Sequence, residues 1–286
     1  MLVLGRMGAG RENTNNVERR NTPKTASNMG PRRFACSIRV RYNNNLKRTL
    51  FPRVRILMAA LEFIKVTKRF SGKAIVSNLS FSVQRGEALG ILGPVGAGKT
   101  TVLLLAVGLL SPERGSIHVL GSSMESRPVS VLAKMNLASA SVRLSGYSSV
   151  FESLLTYARL YGVARPVEKV HTLARVLGVD SLLASGIKIF RLSAGENAKV
   201  NLCKALLNDP DVLLLDEITS HLDPRTKDQV LTLLKTIQKK RAMTIVFASQ
   251  QVDDVQALCR RVLILNAGKR VYLGAYPKKN IFRYYA

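Results

Sequence analysis

Apolar and polar positions are patterned unevenly along the 286 residues of this chain. Residues 1–57 hold Asn pairs and runs, scattered arginines and no sustained apolar period, the pattern of a disordered, basic leader. Regularity starts at Leu61. Positions 61–67 and 79–83 read as short strands bounded by Gly72 and by Arg85-Gly86, and 88–92 is a compact apolar strand running straight into clustered glycines. Apolar residues at helical spacing follow over 100–110, closed by Ser111-Pro112 and Gly115, and 116–120 is a further strand ended by Gly121. The period changes at Val150. Segments 150–161 and 167–177 are both helical with no strand between them, which predicts a helical subdomain at about 145–195. After Gly195 the two periods alternate: helix 196–207, strand 212–215, helix 225–239, strand 244–248, helix 252–258, then strands 262–265 and 269–273. Such alternation predicts an α/β fold whose mainly parallel sheet is covered by helices. Residues 58–275 read as one domain and 276–286 as a short C-terminal tail.

Composition refines this picture. Hydrophobic residues make up 47% of the chain and Trp is absent, so the core is aliphatic. No apolar run approaches the roughly 20 residues of a membrane span. Cys36, Cys203 and Cys259 share no metal-ligand spacing and read as free, buried thiols of a reducing compartment. His118, His171 and His221 form no cluster, which argues against zinc. The formal charge is +26, and the leader alone carries 13 Lys and Arg against two Glu. That leader fits a basic tail, an organelle transit peptide, or codons upstream of a start at Met58. The remainder is basic along its whole length without an arm, a stripe or stacking aromatics. It reads as a solvated surface with some attraction to anionic headgroups, and no specific nucleic-acid partner is expected.

Three motifs carry chemistry. Gly93-Pro94-Val95-Gly96-Ala97-Gly98-Lys99-Thr100, continued by Thr101, fits G-x-x-x-x-G-K-[ST] between a strand and a helix. Its glycines let backbone N–H groups turn around phosphate oxygens, and the helix start turns its positive dipole end to the anion. Lys99 is placed to reach the β- and γ-phosphates, and the Thr100 hydroxyl to ligate Mg²⁺. The strand 212–215 ends in Asp216-Glu217, which puts carboxylates at the carboxyl edge of the sheet, where ligands of such folds collect. Asp216 suits Mg²⁺ through its water shell and Glu217 the polarising of an attacking water. Alone, such an acidic strand end is as often a solvated turn. Leu192-Ser193-Ala194-Gly195-Glu196 opens a helix and, alone, reads first as an ordinary cap.

In this order, over roughly residues 60–275, the motifs resemble the ATP-binding subunit of ABC transporters, and the resemblance implies that fold: a P-loop NTPase core with an antiparallel β subdomain and a helical subdomain. LSAGE at 192–196 stands where the family has its LSGGQ-like signature, LLLDE at 213–217 is the acidic strand, and Ser220-His221-Leu222-Asp223 is the S-x-L-D segment. Phe70 falls where the family stacks an aromatic on adenine. Gly115-Ser116-Ile117-His118-Val119-Leu120-Gly121 matches the family's G-x-I-x-x-x-G strand, and the segments 157–162 and 201–207 are similar to the ABC-2 exporter branch. The resemblance implies two such domains closing on two ATP molecules with Mg²⁺. The glycine loop of one and Ser193 and Gly195 of the other grip each triphosphate, and Asp223 couples the two sites. It also implies a separate polytopic membrane subunit that selects the cargo, and a place on the cytoplasmic face of a membrane, an organelle membrane if the leader is a transit peptide. Two positions depart from the pattern. Gln250 follows Ser249 where the family has its switch histidine, and Ser139 or Ala140 occupies the place of a glutamine. Glutamine donates a neutral hydrogen bond but offers no imidazole proton exchange, so ATP binding with slow or partner-dependent hydrolysis is expected. Two alternatives stand beside the exporter subunit: a non-hydrolysing regulatory ATP module, and an ABC protein acting on ribosomes or DNA. The tandem ATP domains or long coiled coils usual in the latter are missing.

Overall fold

A computed structural model describes residues 59–139, 144–220 and 222–277. The expectations for the leader 1–57, the start at Met58, Cys36, Ala140, His221 and the tail beyond residue 277 lie outside the described residues.

The chain opens with two long strands, β1 (Ala59–Phe70) and β2 (Lys73–Gln84), paired antiparallel. Each has twelve residues, longer than the apolar pattern predicts. Polar positions such as Lys65 and Asn78 break the alternation, and register shifts between Phe63 and Val66 absorb the break. β3 (Ala88–Leu92) leads through the glycine loop into α1 (Lys99–Ala106). That helix stops short of the predicted residue 110 because Gly108 turns left-handed at φ 73°. β4 (Arg114–Val119) and β5 (Ser122–Ser123) complete a four-stranded antiparallel sheet ordered β2-β1-β4-β5.

A short α2 (Val129–Leu132) precedes β6 (Met135–Ser139), a strand the pattern does not announce. The helical insertion follows as α3 (Val150–Leu160), α4 (Pro166–Leu177), α5 (Asp180–Ala184) and a 3₁₀ turn at Ile189–Arg191. α6 (Ala194–Leu206), β7 (Val212–Asp216), α7 (Pro224–Arg241), β8 (Thr244–Ala248), α8 (Val252–Leu258), β9 (Arg261–Asn266) and β10 (Lys269–Ala275) finish the described chain. The second sheet has the order β10-β9-β3-β8-β7-β6, parallel except for the β9–β10 hairpin.

The central strands of this six-stranded sheet are buried on both faces, which is why they read as unbroken apolar runs. Successive side chains point to opposite faces. Leu213, Leu215, Ile245 and Phe247 pack with the helical insertion and α6, while Val212, Leu214, Val246 and Ala248 pack with α1 and the antiparallel sheet. The mainly parallel core, the antiparallel subdomain and the helical subdomain are thus all present. Cys203 and Cys259 are free and buried among apolar side chains, as expected; burial pushes the Cys203 thiol up to about 12 and Cys259 higher still.

Candidate functional site

Parallel strands deliver their carboxyl ends to one edge of the sheet, and β3, β7, β8 and β6 place the predicted residues there side by side. The glycine loop turns directly off Leu92. A Cβ on Gly93 would lie 2.3 Å from the carbonyl oxygen of Leu265, and one on Gly98 would lie 2.6 Å from that of Ile75, with Gly98 at φ 97°. Neither position admits a side chain, so the loop's close path depends on glycine there. The Ile75 contact also brings β2 against the loop. Phe70, 45% exposed with Lys68 Nζ 5.3 Å from its ring centre, ends the strand paired to β2.

Lys99 starts α1 and is only 6% exposed. Its ammonium donates to the carbonyls of Gly93 at 2.9 Å and Pro94 at 3.2 Å, and lies 3.6 Å from Glu217 Oε1. Burial lowers its pKa, and the nearby Glu217 charge opposes that. Thr100, the next residue, donates its hydroxyl to both oxygens of Asp216, at 3.2 and 3.1 Å. Ser139, at the end of β6, reaches Asp216 Oδ2 from the other side at 3.4 Å. Burial holds the Asp216 carboxyl above the ordinary carboxylate range, and the hydroxyls of Thr100 and Ser139 only partly offset it.

Glu217 has left-handed backbone at φ 53°, a conformation held by its N–H donating to Ala248 O at 2.9 Å and by Ser220 Oγ donating to its carbonyl at 2.6 Å. The backbone N–H of Gln250 donates to Glu217 Oε2 at 3.3 Å. Oε1 of the same carboxylate is buried and accepts no hydrogen bond. A buried acceptor of this kind, beside a lysine and at the mouth of a phosphate loop, is suited to take a hydrogen bond from water. The Gln250 side chain itself is exposed next to it.

Among the described residues no group of three or more His, Cys, Asp and Glu assembles a self-sufficient metal site. One hydroxyl and one desolvated carboxylate, on Thr100 and Asp216, do fit Mg²⁺, which keeps waters and takes phosphate oxygens alongside one or two protein oxygens.

The signature lies in a separate hollow of about 410 Å³, lined among others by Ser193, Gly195, Glu196, Lys199, Asp223 and Thr226. Ser193 caps α6 in a reciprocal capping box: Glu196 N–H donates to Ser193 Oγ at 3.3 Å, and Ser193 N–H to Glu196 Oε2 at 2.9 Å. Leu192 precedes this cap and Ala194 opens the helix. Asp223 caps α7 by accepting from Thr226 N–H at 3.0 Å; hydrogen bonding from the Thr226 side chain, and then from its N–H, holds the carboxyl below the usual range. The structure therefore joins the signature with Asp223, and the glycine loop with Asp216, Glu217 and Gln250, as two clusters on one chain.

Sequence reasoning did not foresee the Ser139–Asp216 contact. The two residues are paired in register between β6 and β7, which becomes legible only once β6 is recognised as the strand beside β7.

Comparison with known proteins agrees with this fold. Residues 76–220 match the family described as ABC transporter. The Nod factor export ATP-binding protein I of Burkholderia lata is 34% identical over 220 residues, covering 76% of this chain and 71% of that protein. An ABC transporter ATP-binding protein of Bacillus subtilis, YhcH, is 30% identical over 226 residues, with coverage of 79% and 73%. Among solved structures, CbiO1 of Clostridium perfringens, described as part of the ABC transporter complex CbiONQ, superposes with a TM-score of 0.68 at 24% identity, over 76% of this chain and 88% of that one.

Proposed function

The chain belongs to the ABC transporter family as an ATP-binding subunit, and we propose that it hydrolyses ATP to drive a separate, polytopic membrane subunit of an exporter. The observation that carries this reading is the convergence of Lys99, Thr100, Asp216, Glu217 and the Gln250 N–H at the carboxyl edge of one parallel sheet. Export comes from the relatives named for Nod factor export and from the ABC-2-like segments. Cargo is left to the membrane subunit. Among the described residues no helix is long and apolar enough to cross a membrane, so attachment to the cytoplasmic face is assigned to that partner.

In this reading ATP lies along the loop 93–101 with its adenine against Phe70 and its phosphates facing the N–H groups that start α1. Lys99 neutralises β- and γ-phosphate charge. Mg²⁺, held by Thr100 and Asp216, supplies electrostatic stabilisation of the transferring phosphoryl group. Glu217 orients the attacking water through Oε1, the oxygen beside Lys99 that accepts no hydrogen bond, and Gln250 donates a neutral hydrogen bond to the γ-phosphate. Because Ser193 and Gly195 sit in the other cluster, each site is completed by a second chain, with Asp223 linking the two sites.

Hydrolysis in this reading is slow. Gln250 stands for a histidine and Ser139 or Ala140 for a glutamine, and losing one transition-state donor costs about 10²–10³ in rate. We expect purified protein to bind ATP at ordinary affinity and Gln250→His to raise turnover at unchanged KM. Turnover at ordinary family rates, with no gain from the substitution, contradicts the slow-hydrolysis reading. The exposed Gln250 side chain also favours a second reading, a regulatory ATP-binding module. Turnover undetectable in both proteins, with ATP still bound, supports that one.

A further inference from the structure

Helix α8 carries a buried acid that the chemistry above leaves unused. Asp254 is 2% exposed. Its Oδ2 accepts from the hydroxyl of Thr219 at 2.5 Å, and its Oδ1 lies 3.2 Å from the ammonium of Lys227. Lys227 also donates to the side-chain oxygen of Gln251, the residue after Gln250. Two segments therefore meet on one carboxylate, the turn after Glu217 and the first turn of α7, and Lys227 ties the Gln250–Gln251 turn to them.

Each segment ends at a residue of the proposed chemistry. Thr219 is fully buried two positions after Glu217, and its neighbour Ser220 holds the Glu217 carbonyl at 2.6 Å. Lys227 donates its backbone N–H to the carbonyl of Asp223 at 2.9 Å, so it moves with that residue. The N–H of Gln250 bonds the Glu217 carboxylate. Cohesion alone does not require a charge here, because the desolvation of a buried ion pair offsets most of its attraction and apolar side chains pack as well. What the bonds add is fixed direction.

We propose that Asp254 is a positioning residue for hydrolysis, tying the Asp223 end of α7 and the Gln250–Gln251 turn to the backbone that aims Glu217. The proposal rests on the hydrolytic reading. When a second chain engages Asp223, displacement of the α7 start reaches Thr219 through Lys227 and Asp254, and the Glu217 carboxylate is aimed as the site closes.

The decisive comparison uses the full chain, wild type against an Asp254→Leu/Lys227→Met double variant that replaces the pair by apolar packing. Melting temperature, ATP KM and kcat are measured for both. The expected result is a melting temperature near that of the wild type, an unchanged KM and a kcat lower by about tenfold to a hundredfold, the effect of a small misplacement of a reacting group. Full turnover in the double variant overturns the proposal, since packing alone then suffices. Where the double variant does not fold, Thr219→Val decides: it keeps the ion pair and removes only the bond leading to Glu217. A fall in kcat of about tenfold at constant KM supports the proposal, and an unchanged kcat overturns it. A wild type that binds ATP without turning it over defeats the hydrolytic reading itself and this proposal with it, a result distinct from turnover that survives the substitutions.

Discussion

Asp216 is 4% exposed, with its carboxylate shared between the hydroxyls of Thr100 and Ser139. Burial is the largest influence on it, and it raises the folded-state pKa above the ordinary 3.8. Folded protein then holds this proton more tightly than unfolded chain does, so the ionised carboxylate destabilises the fold. The penalty is absent below about pH 3.8 and fully present once the pH exceeds the raised folded value. In the proposed function a divalent cation at this carboxylate relieves it, coupling stability to metal and nucleotide binding at the same residue. We expect Asp216→Asn, without nucleotide at pH 7, to melt higher than wild type, on a scale of about 2–4 °C per kcal/mol for a domain of this size. The difference shrinks as pH falls through the folded pKa, and the variant loses ATP turnover. Calorimetry at pH 7 and at a lower pH checks it. An asparagine variant that melts below wild type at pH 7 contradicts the argument.

Among the described residues two helices carry the same reciprocal cap, Ser149 with Glu152 on α3 and Ser193 with Glu196 on α6. Only the second shares a hollow with Asp223 and belongs to the proposed contact with a neighbour's ATP. Ser149→Ala and Ser193→Ala are each expected to cost about 1 kcal/mol of stability. The α3 variant keeps ATP turnover at temperatures where both are folded, whereas the α6 variant loses it. Equal turnover in the two variants removes Ser193 from the chemistry. The contrast also shows what could be read in advance. The glycine loop, the signature 192–196 and the acidic end of β7 are local patterns, and the resemblance carried by their order along the chain implied the fold. What the residues did not announce depends on distant neighbours. β6 has a polar Asn136 in five residues and is a strand because β7 lies beside it. The left-handed Glu217 donates its N–H to the carbonyl of Ala248, and the buried Asp254 accepts from Thr219, 35 positions away. None of these follows from a window of sequence, because each is a tertiary override of local propensity.

On the scale of the whole molecule, the proposed function completes each site with a second chain, yet two copies of a chain of charge +26 repel. In that reading, triphosphates placed between them bring negative charge to the surfaces that must meet, and ATP is both ligand and electrostatic bridge. Repulsion between the remaining exposed charges is screened over about 10 Å at 0.1 M salt, and closely held phosphate contacts are screened less. ATP-dependent pairing is therefore expected to strengthen as salt rises from about 50 mM to about 300 mM, unlike an association driven by surface attraction. Glu217→Gln is the variant to use, since it keeps the loop and Mg²⁺ residues while preventing the hydrolysis that would reopen the pair. Light scattering should show its mass doubling with ATP and Mg²⁺ but not with ADP, with a larger dimer fraction at the higher salt. A mass that stays monomeric with ATP at both concentrations counts against self-pairing and directs the search to a different ATP-binding subunit as partner. A dimer that weakens with salt instead places attraction, rather than repulsion, at the contact surface.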